Sequence, residues 1–398
     1  MQKKQYQLKN KKEKIFFISH DSSQTGAPIL LLRLIELLCK YDKYDIELLL
    51  VRGGVLENKF RLLLPVTTLK SHIYGKTRNI VRRVFEYLRY RIRLYKVINR
   101  TREFDLVFNN TIANGKILRQ IKTKGTPVIS YIHELDSVIN EFNRFGEANR
   151  TIQFSDLVVC PSRAVADNLI KKYDLSSEKT DFLPYFISND RANKISEEEK
   201  NTWLNRLGIP SGKFYVGGMG TATYRKGIDL FAEVCRKVVS IDQEICFVWI
   251  GDFVDAATKE KMEADANDLF KSNSFFLTGA LPMNTANPGF LDIFFLSSRE
   301  DPYPLVVLEA ARMKIPTLYF KNTGGIQEFI EPDAGWGIDS IDTSLAAEKI
   351  VALKNNRNEI NTRGNLAFLK LCRMHADENR VFSEFDRIVK KMLNNNVN

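Results

Sequence analysis

Cysteine and histidine are scarce in this chain of 398 residues, which has five cysteines and four histidines. The cysteines are odd in number and widely spaced, without a C-x-x-C pair, which argues against a disulfide framework and against structural zinc. No D-x-D pair lies in a loop, and the four histidines form no cluster of metal ligands. We therefore expect a protein that requires no bound metal or other cofactor.

Long hydrophobic runs are also missing. The longest candidate, Ile29 to Leu38, is interrupted by Arg33 and Glu36, whereas a membrane-spanning helix needs about 18 or more apolar residues in succession. The N-terminus is polar and rich in lysine, without the apolar segment of a signal peptide. These absences predict a cytoplasmic protein that does not cross a membrane.

Positive charge is abundant but local. The formal net charge is +11; residues 1–14 carry six lysines against one glutamate, and residues 76–102 carry ten Lys or Arg against one glutamate. In 76–102 the cations recur at helical spacing beside an apolar stripe. The cations are Arg78, Arg82, Arg89, Arg93, Lys96 and Arg100, and the stripe is Val81, Phe85, Leu88, Ile92 and Tyr95. Such a helix suits anionic lipid headgroups; a surface helix packed by its apolar side is the alternative.

Short apolar runs alternate with helical patterns along the chain, which indicates βα units and parallel sheets. The first series of predicted strands is Lys14–Ser19, Ile46–Val51, Asp105–Asn109, Pro127–Ile132 and Leu157–Cys160. The second series is Phe214–Gly218, Ile245–Gly251, Ser274–Leu277, Ile293–Leu296 and Thr317–Phe320. Leu183 to Lys200, polar and acidic after Pro184, is the best linker candidate. We predict two doubly wound α/β domains that bind ligands beyond the carboxyl ends of their strands.

Two predicted strands end in loops suited to a diphosphate. After the first strand, Gly26 and Ala27 precede a long apolar helix, so backbone N–H groups at its N-terminus can face an anion. After Phe214–Gly218, Arg225 and Lys226 stand at the positive end of a helix dipole, where a bound anion would offset their unfavourable placement. Small residues for tight turning and two solvated cations are the alternatives for these loops.

A third element places an acidic residue in a loop, Asp301, and a second one eight positions later inside the predicted helix, Glu309. Carboxylates accept hydrogen bonds from vicinal sugar hydroxyls, as the acid after a Rossmann strand does from ribose. Glu309 lies between Leu308 and Ala310, so it needs a polar partner if it is buried. A solvated Glu309 on a surface helix is the alternative.

Together these motifs resemble the retaining glycosyltransferases of family 4, which have the GT-B architecture of two Rossmann-like domains facing a cleft. The resemblance covers nearly the whole chain, and its motifs follow the family's order. They are Thr25-Gly26-Ala27-Pro28, Tyr131-Ile132-His133-Glu134, Cys160-Pro161-Ser162, Arg225-Lys226-Gly227, Asp301 through Glu309, and Gly324-Gly325 with Glu328. The resemblance implies metal-independent transfer of a sugar from a nucleotide-diphosphate donor, with retention of the anomeric configuration.

The resemblance also implies residue roles. Arg225 and Lys226 would neutralise the charge on the leaving diphosphate, Glu309 would bind the donor ribose, and Asp301 would bind the sugar hydroxyls. The implied donor-binding residues are Gly26, Ala27, Arg225, Lys226, Leu305, Val306 and Glu309. The implied catalytic residues are His133, Asp301, Arg225 and Lys226. His133 would approach the sugar at the reaction centre, although a lone histidine at a strand end also suits a structural role.

This chain departs from the family pattern at several positions. Asp301 is one methylene shorter than the usual glutamate, Pro302 and Pro304 replace glycines, and Thr221 stands where the family often has arginine. Pro304 has no N–H, so an anion contact falls on the two amides after it. These departures leave the sugar specificity open. They also motivate an alternative, a non-catalytic nucleotide- or glycan-binding protein of the same fold.

For the whole chain we predict an N-terminal acceptor-side domain, 1–190, and a C-terminal nucleotide-sugar domain, 191–370, followed by a helix in 371–398 that packs back on the first domain. We expect transfer to a lipid-linked or polysaccharide acceptor in cell-surface glycan synthesis. Residues 76–102 would hold the protein at the inner face of the membrane. Transfer to a soluble sugar or to protein is the rival, and nucleic-acid binding is not expected because the aromatics of 76–102 match no stacking module.

Overall fold

The computed structural model describes residues 12–70, 80–188, 195–281 and 288–394. It divides the chain into two compact units: unit 1 consists of Met1–Phe186 and Asp377–Asn398, and unit 2 consists of Ile187–Ala376. In the described residues each unit is built on one parallel sheet. Residues 1–11 of the lysine-rich N-terminus, 76–79 with Arg78, and 189–194 of the predicted linker lie outside the described residues.

Unit 1 contains seven described strands in one sheet. They are β1 (Lys14–Ser19), β2 (Asp45–Arg52), β3 (Val66–Lys70), β4 (Leu106–Asn109), β5 (Val128–Tyr131), β6 (Leu157–Cys160) and β7 (Thr180–Phe182). All neighbours are parallel, in the order β3-β2-β1-β4-β5-β6-β7. The winding direction therefore reverses between β1 and β4, which makes their carboxyl ends the topological switch point.

The helices of unit 1 cover both faces of this sheet, which explains why β1 and β4 are almost wholly apolar and buried. Those that precede unit 2 in the chain are α1 (Gly26–Tyr41), α2 (Glu57–Leu63), α3 (Ile80–Arg100), α4 (Gly115–Lys122), α5 (Asp136–Asn143), α6 (Glu147–Phe154) and α7 (Arg163–Tyr173). One core cluster joins Phe16 of β1 to Val107 of β4 and Leu94 of α3.

Unit 2 contains six described strands in a second parallel sheet. They are β8 (Phe214–Met219), β9 (Ile245–Ile250), β10 (Phe275–Leu277), β11 (Ile293–Leu296), β12 (Thr317–Phe320) and β13 (Gly335–Ile338). Their order is β10-β9-β8-β11-β12-β13. The winding thus repeats that of the first six strands of unit 1, with its switch point between β8 and β11.

The described helices of unit 2 flank this sheet. They are α8 (Glu197–Leu207), α9 (Ile228–Val239), α10 (Ala256–Asp265), α11 (Asn267–Lys271), α12 (Leu305–Arg312), α13 (Gln327–Ile330), α14 (Thr343–Lys354) and α15 (Arg357–Met374). The core cluster of unit 2 includes Phe231 of α9, Phe247 of β9 and Phe295 of β11, all fully buried or nearly so. Apolar side chains on both sides of the sheet thus stabilise the loops at its carboxyl edge.

The last helix, α16 (Glu378–Asn394), belongs to unit 1. Its Phe385 ring lies 5.5 Å from the ring of Phe108 in β4. Arg387 and Lys391 bind the carboxylate of Asp181 in β7 at 2.6 and 3.0 Å. This helix therefore contributes both apolar packing and ion pairs to the first sheet.

The structure confirms the predicted fold class, two doubly wound parallel-sheet units. Each predicted strand is present with its ends within one residue of the prediction, and three further strands, β3, β7 and β13, lie at sheet edges. Part of the predicted linker is wrong, because Glu197–Lys200 begins α8. Ser196 and Glu199 cap this helix reciprocally, which satisfies two otherwise unpaired N–H groups.

Helix α3 corrects one prediction about the basic segment. Leu94, Val97 and Ile98 face the core, with 7%, 5% and 4% exposure. The predicted apolar stripe faces solvent instead: Val81, Phe85, Leu88, Ile92 and Tyr95 are all exposed. The alternative of a helix packed by this stripe is therefore wrong, because helical spacing shows which residues share a face but not which face meets the core.

Candidate functional site

The loops after β8 and β11 meet at the switch point of unit 2. The N–H of Arg299 donates to the carbonyl of Arg225 at 2.9 Å, and the Arg225 guanidinium donates to the carbonyl of Glu300 at 2.7 Å. Gly227, which precedes α9, has φ +70, and a Cβ there would lie 2.0 Å from the carbonyl oxygen of Ser297. Glycine is thus required where the two loops approach most closely.

Lys226 and Asp301 form an enclosed ion pair between these loops. Their side chains are only 16% and 7% exposed. The third loop, after β12, holds the acid in place, because the N–H of Asp301 donates to the carbonyl of Thr323 at 2.7 Å. Gly324 has φ +150, and a Cβ there would lie 1.6 Å from the carbonyl oxygen of Asp301. Two of the predicted site residues are therefore brought into direct contact.

Arg299 joins the same loops from the outer side. Its guanidinium binds both carboxylate oxygens of Asp229 in α9, at 2.7 and 2.6 Å, and donates to the carbonyl of Tyr224 at 2.8 Å. It also lies 3.8 Å above the Tyr224 ring, and the hydrogen bond with Asp229 raises the pKa of the guanidinium. Arg299 was not predicted from the sequence. Its place beside Glu300 and Asp301 in the motif was the available signal.

Helix α12 starts directly after Pro304, which has φ −68 and no N–H to donate. The amides of Leu305 and Val306 lie in the first turn, where a helix offers its N–H groups no internal acceptor. The helix has no acidic residue in that turn. Its N-terminus therefore suits an anion, as the departure at Pro304 predicts.

Glu309 is mostly enclosed and has an ionic partner. Its carboxylate lies 2.7 Å from the Arg312 guanidinium one turn later, and both side chains are 18% exposed. The alternative of a fully solvated Glu309 is not observed. Arg312, from the same helix, is one polar partner of this carboxylate.

The switch point of unit 1 contains a neutral hydrogen-bond network. The Asn110 side-chain nitrogen donates to the carbonyl of Ala27 at 2.9 Å, so the side-chain oxygen faces His133 Nε2 at 3.1 Å. That oxygen can only accept, so Nε2 carries the proton, and Nδ1 accepts from the Tyr185 hydroxyl at 3.2 Å. Asn110 and Tyr185 were not predicted; the polar run after β4 was the signal for Asn110.

Burial favours the uncharged forms of these side chains. Together with a smaller effect of nearby His20, it lowers the pKa of His133 to about 3. Burial also raises the pKa of Glu134 to about 7, against hydrogen bonds from the Thr111 hydroxyl and the His133 N–H, each 2.8 Å long. His133 is therefore a weak base, with both ring nitrogens occupied by protein groups.

Gly26 and Ala27 open helix α1 beside this network. A Cβ at Gly26 would meet no atom within 4 Å, and the first turn contains no acidic residue. The geometry thus leaves room for an anion at this N-terminus. The donor-binding role of these two residues stays a prediction.

The described part of the chain contains neither a cluster of metal ligands nor a membrane-spanning helix. Residues 12–70, 80–188, 195–281 and 288–394 contain no group of three or more His, Cys, Asp or Glu side chains that could hold a metal ion. Within the same ranges, no helix has the length and apolar character required to span a bilayer.

Two family models match successive parts of the chain. The model described as Glycosyltransferase Family 4 matches residues 31–191, and that described as Glycosyl transferases group 1 matches residues 199–367. A curated relative, the alpha-galactosylglucosyldiacylglycerol synthase of Streptococcus pneumoniae, is 26% identical over 153 residues. That match covers 35% of this chain and 37% of the relative. The matched region is therefore little more than a third of the relative's length.

Solved structures are similar over nearly the full length. Anabaena Alr3699/HepE in complex with UDP and glucose has a TM-score of 0.79 at 16% identity, covering 95% of this chain and 99% of that one. WaaG, a glycosyltransferase involved in lipopolysaccharide biosynthesis, has a TM-score of 0.66 at 13% identity, with coverage of 95% and 99%. At these identities the likeness shows the fold alone.

Proposed function

The chain belongs to glycosyltransferase family 4 and has the GT-B fold, and from this premise we propose that it is a retaining glycosyltransferase. It moves a sugar from a nucleotide-diphosphate donor to a lipid-linked or polysaccharide acceptor in cell-surface glycan synthesis. It acts in the cytoplasm, peripherally at the inner face of the membrane. It requires no metal ion or other cofactor.

The observation that carries this proposal is the placement of Arg225 and Lys226 at the switch point of unit 2. Arg225 and Lys226 stand where two loops are joined by backbone and side-chain contacts, and the amides of Leu305 and Val306 open the next helix. These groups would bind the donor diphosphate. The contacts that join these loops need no ligand, so the loops are preorganised for electrostatic stabilisation of a leaving group.

The two acidic residues, Glu309 and Asp301, would make the remaining contacts to the donor. Glu309, oriented by Arg312, would accept hydrogen bonds from the ribose, and Asp301 would accept them from the sugar hydroxyls. Two cations and two amides supply the compensating charge that a divalent metal would otherwise bring, which supports metal-independent chemistry.

In the reaction, the bond between the anomeric carbon and the diphosphate oxygen breaks, and a bond to the acceptor hydroxyl oxygen forms. The departing diphosphate takes the hydroxyl's proton. His133 is a poor candidate for that base, because its pKa of about 3 makes it a weak one near neutral pH. Its proposed role is to present a fixed, neutral ring beside the sugar.

The exposed face of α3 supports an acceptor at a membrane. Apolar side chains such as Phe85 and Ile92 face solvent, next to the exposed cations Arg89, Arg93 and Lys96. A contiguous apolar surface of this kind, bordered by positive charge, favours anionic lipid headgroups. The name of the curated relative, a glycolipid synthase, points the same way.

A panel of nucleoside diphosphates tests the donor proposal. UDP comes first, since similar structures contain it, followed by GDP, dTDP and ADP. A ligand at a hundredfold excess over its Kd stabilises a protein by about 2.7 kcal/mol, which thermal unfolding detects. We expect one nucleotide to raise the Tm of the intact chain and an R225A/K226A double variant to lose the effect.

The matched control is an R236A/K237A double variant, which removes another Arg-Lys pair from the far end of α9. It is expected to retain the nucleotide effect. If no nucleotide raises the Tm of the folded chain, the proposed donor class is wrong. Nucleotide binding without sugar transfer to any acceptor would instead favour the non-catalytic binding protein.

Vesicle sedimentation tests the membrane proposal. An R89E/R93E/K96E variant is expected to lose binding to vesicles that contain phosphatidylglycerol, because each cation near an anionic surface contributes about 1 kcal/mol. A K259E/K261E/K271E variant, which reverses three charges in unit 2, is the control and is expected to bind normally. Unchanged binding of the α3 variant would contradict membrane docking through 76–102.

A further inference from the structure

The carboxylate of Asp301 lies against the ammonium group that is proposed to hold the donor diphosphate. Lys226 is its ionic partner, and the Ser298 hydroxyl lies 3.5 Å from the same carboxylate oxygen. With 7% exposure, the Asp301 side chain is nearly removed from water. A diphosphate that binds Lys226 must therefore share this ammonium with a buried negative charge.

Asp301 has little freedom to move away. Its N–H donates to Thr323, its carbonyl lies against Gly324, and these two contacts join it to the loop after β12. The loop after β8 is joined to Glu300 and Arg299 on the other side. The backbone on both sides of the carboxylate is thus fixed, and the cost of bringing a second anion to Lys226 cannot be relieved by a loop shift.

We propose that Asp301 makes this site select nucleotide sugar over free nucleoside diphosphate, by competing with the diphosphate for Lys226. The inference rests on the proposed function and concerns the same donor site. Asp301 is then a specificity-determining residue, since it favours binding of the nucleotide-sugar substrate and disfavours binding of the nucleoside-diphosphate product.

The two ligands differ in how they treat the carboxylate. A nucleotide sugar brings hydroxyl groups that donate hydrogen bonds to Asp301 and so satisfy it when Lys226 turns to the phosphate. A free nucleoside diphosphate brings no such donor. It also ends in a terminal phosphate, whose second ionisation near pH 6 adds negative charge at neutral pH. Like charges placed together in a site of low exposure are strongly unfavourable.

One consequence is rapid product release. After transfer, the sugar hydroxyls depart with the acceptor, and the carboxylate again competes for the ammonium. The nucleotide that remains is bound more weakly than the donor that it came from, so product inhibition is low.

Affinities for UDP and UDP-glucose test the proposal, measured by titration calorimetry on the full chain; if the nucleotide panel selects another base, the corresponding pair is used. The D301N variant removes the charge but keeps the shape. We expect its Kd for the free nucleotide to fall by about tenfold, while affinity for the nucleotide sugar stays level or weakens. The ratio of the two dissociation constants therefore shifts toward the nucleotide.

Two further variants keep the test decisive. D229N makes the same change in the neighbouring ion pair with Arg299, where the aspartate is 47% exposed, and it is expected to leave the ratio unchanged. D301E retains the charge and is expected to keep the ratio close to that of the unmodified chain, including if D301N proves poorly folded. An unchanged or opposite ratio in D301N, or an equal shift in D229N or D301E, would overturn the inference.

Failure of the inference is distinct from failure of the proposed function. If the unmodified chain binds neither ligand of any base, the donor proposal itself is wrong. If it binds both and the ratio is insensitive to the charge of Asp301, only the selectivity mechanism is wrong.

Discussion

The switch points of the two units share one strand order and differ in charge. Around β8 and β11 the side chains are charged. Lys226 pairs with Asp301, Arg299 forms an ion pair, and the Arg225 guanidinium donates to a backbone carbonyl. Around β1 and β4, burial favours neutral side chains, and Asn110 fixes the proton of His133 on Nε2. The same topology thus positions two sets of loops, and the side chains alone decide whether a set attracts an anion or holds an uncharged ring.

The strongest expected effect comes from removing the ammonium group of Lys226 at the switch point of unit 2. Lys226→Ala is expected to lower kcat/KM about 10²- to 10³-fold, because one preorganised group that stabilises developing charge has that value. Steady-state sugar transfer measures it. Lys237→Ala at the other end of α9 is the control, and a comparable loss there would contradict a local role for Lys226.

The next effect, in unit 1, depends on pH. Burial raises the pKa of Glu134 from 4.5 to about 7, so the folded chain keeps a proton that the unfolded chain loses as pH rises through this window. The contribution of Glu134 to stability should therefore fall between about pH 4.5 and pH 7, by roughly 3 kcal/mol. The E134Q variant lacks this contribution, so the difference in urea unfolding between the intact chain and E134Q measures it.

The titration of His133 acts in the opposite direction over an overlapping pH range and provides the control. His133 has a pKa lowered from 6.5 to about 3, so the folded chain resists its protonation and loses stability as pH falls through that range. E134Q should retain this loss. If the difference between the intact chain and E134Q stays constant from pH 4.5 to pH 7, Glu134 is not the responsible group.

The smallest expected effect is that of Asn110→Ala. It removes the acceptor of His133 Nε2 and the donor to Ala27, so it is expected to cost about 1 to 3 kcal/mol of folding free energy. Denaturant unfolding measures the cost, and NMR of the ring nitrogens reports the tautomer. N110D, which places a carboxylate beside the ring, should raise the pKa of His133; an unshifted pKa would contradict the network.

Much of the fold was predictable because central strands are buried on both faces and read as short apolar runs. The strands that were missed lie at edges and lack that signal. β3 has a single buried residue, Leu69, and β13 contains two glycines among four residues. An edge strand has a hydrogen-bonded neighbour on one side only, and in β3 and β13 partly exposed residues or glycines replace the continuous apolar run.

The site was predictable as a set of motifs, but not as a set of contacts. Arg225, Lys226 and Asp301 could be named from their loops, yet nothing in the spacing shows that Lys226 and Asp301 pair, because that depends on how two distant loops meet. Which face of α3 packs on the core could not be predicted for a similar reason, because it depends on how the helix meets the sheet. Asn110 belongs to a polar run after β4, but that run alone does not show which ring the side chain contacts.

Helix α16 has a consequence for the order of synthesis. Unit 2 is continuous in the chain, whereas unit 1 is completed by the last helix, whose Val381, Phe385 and Ile388 are fully buried. A ribosome therefore delivers all of unit 2 before unit 1 has its final layer. Until then Phe17 and Phe108, the apolar side chains that Phe385 covers, lack this partner. The sheet of unit 1 therefore gains its final apolar contacts only after all of unit 2 has been synthesised.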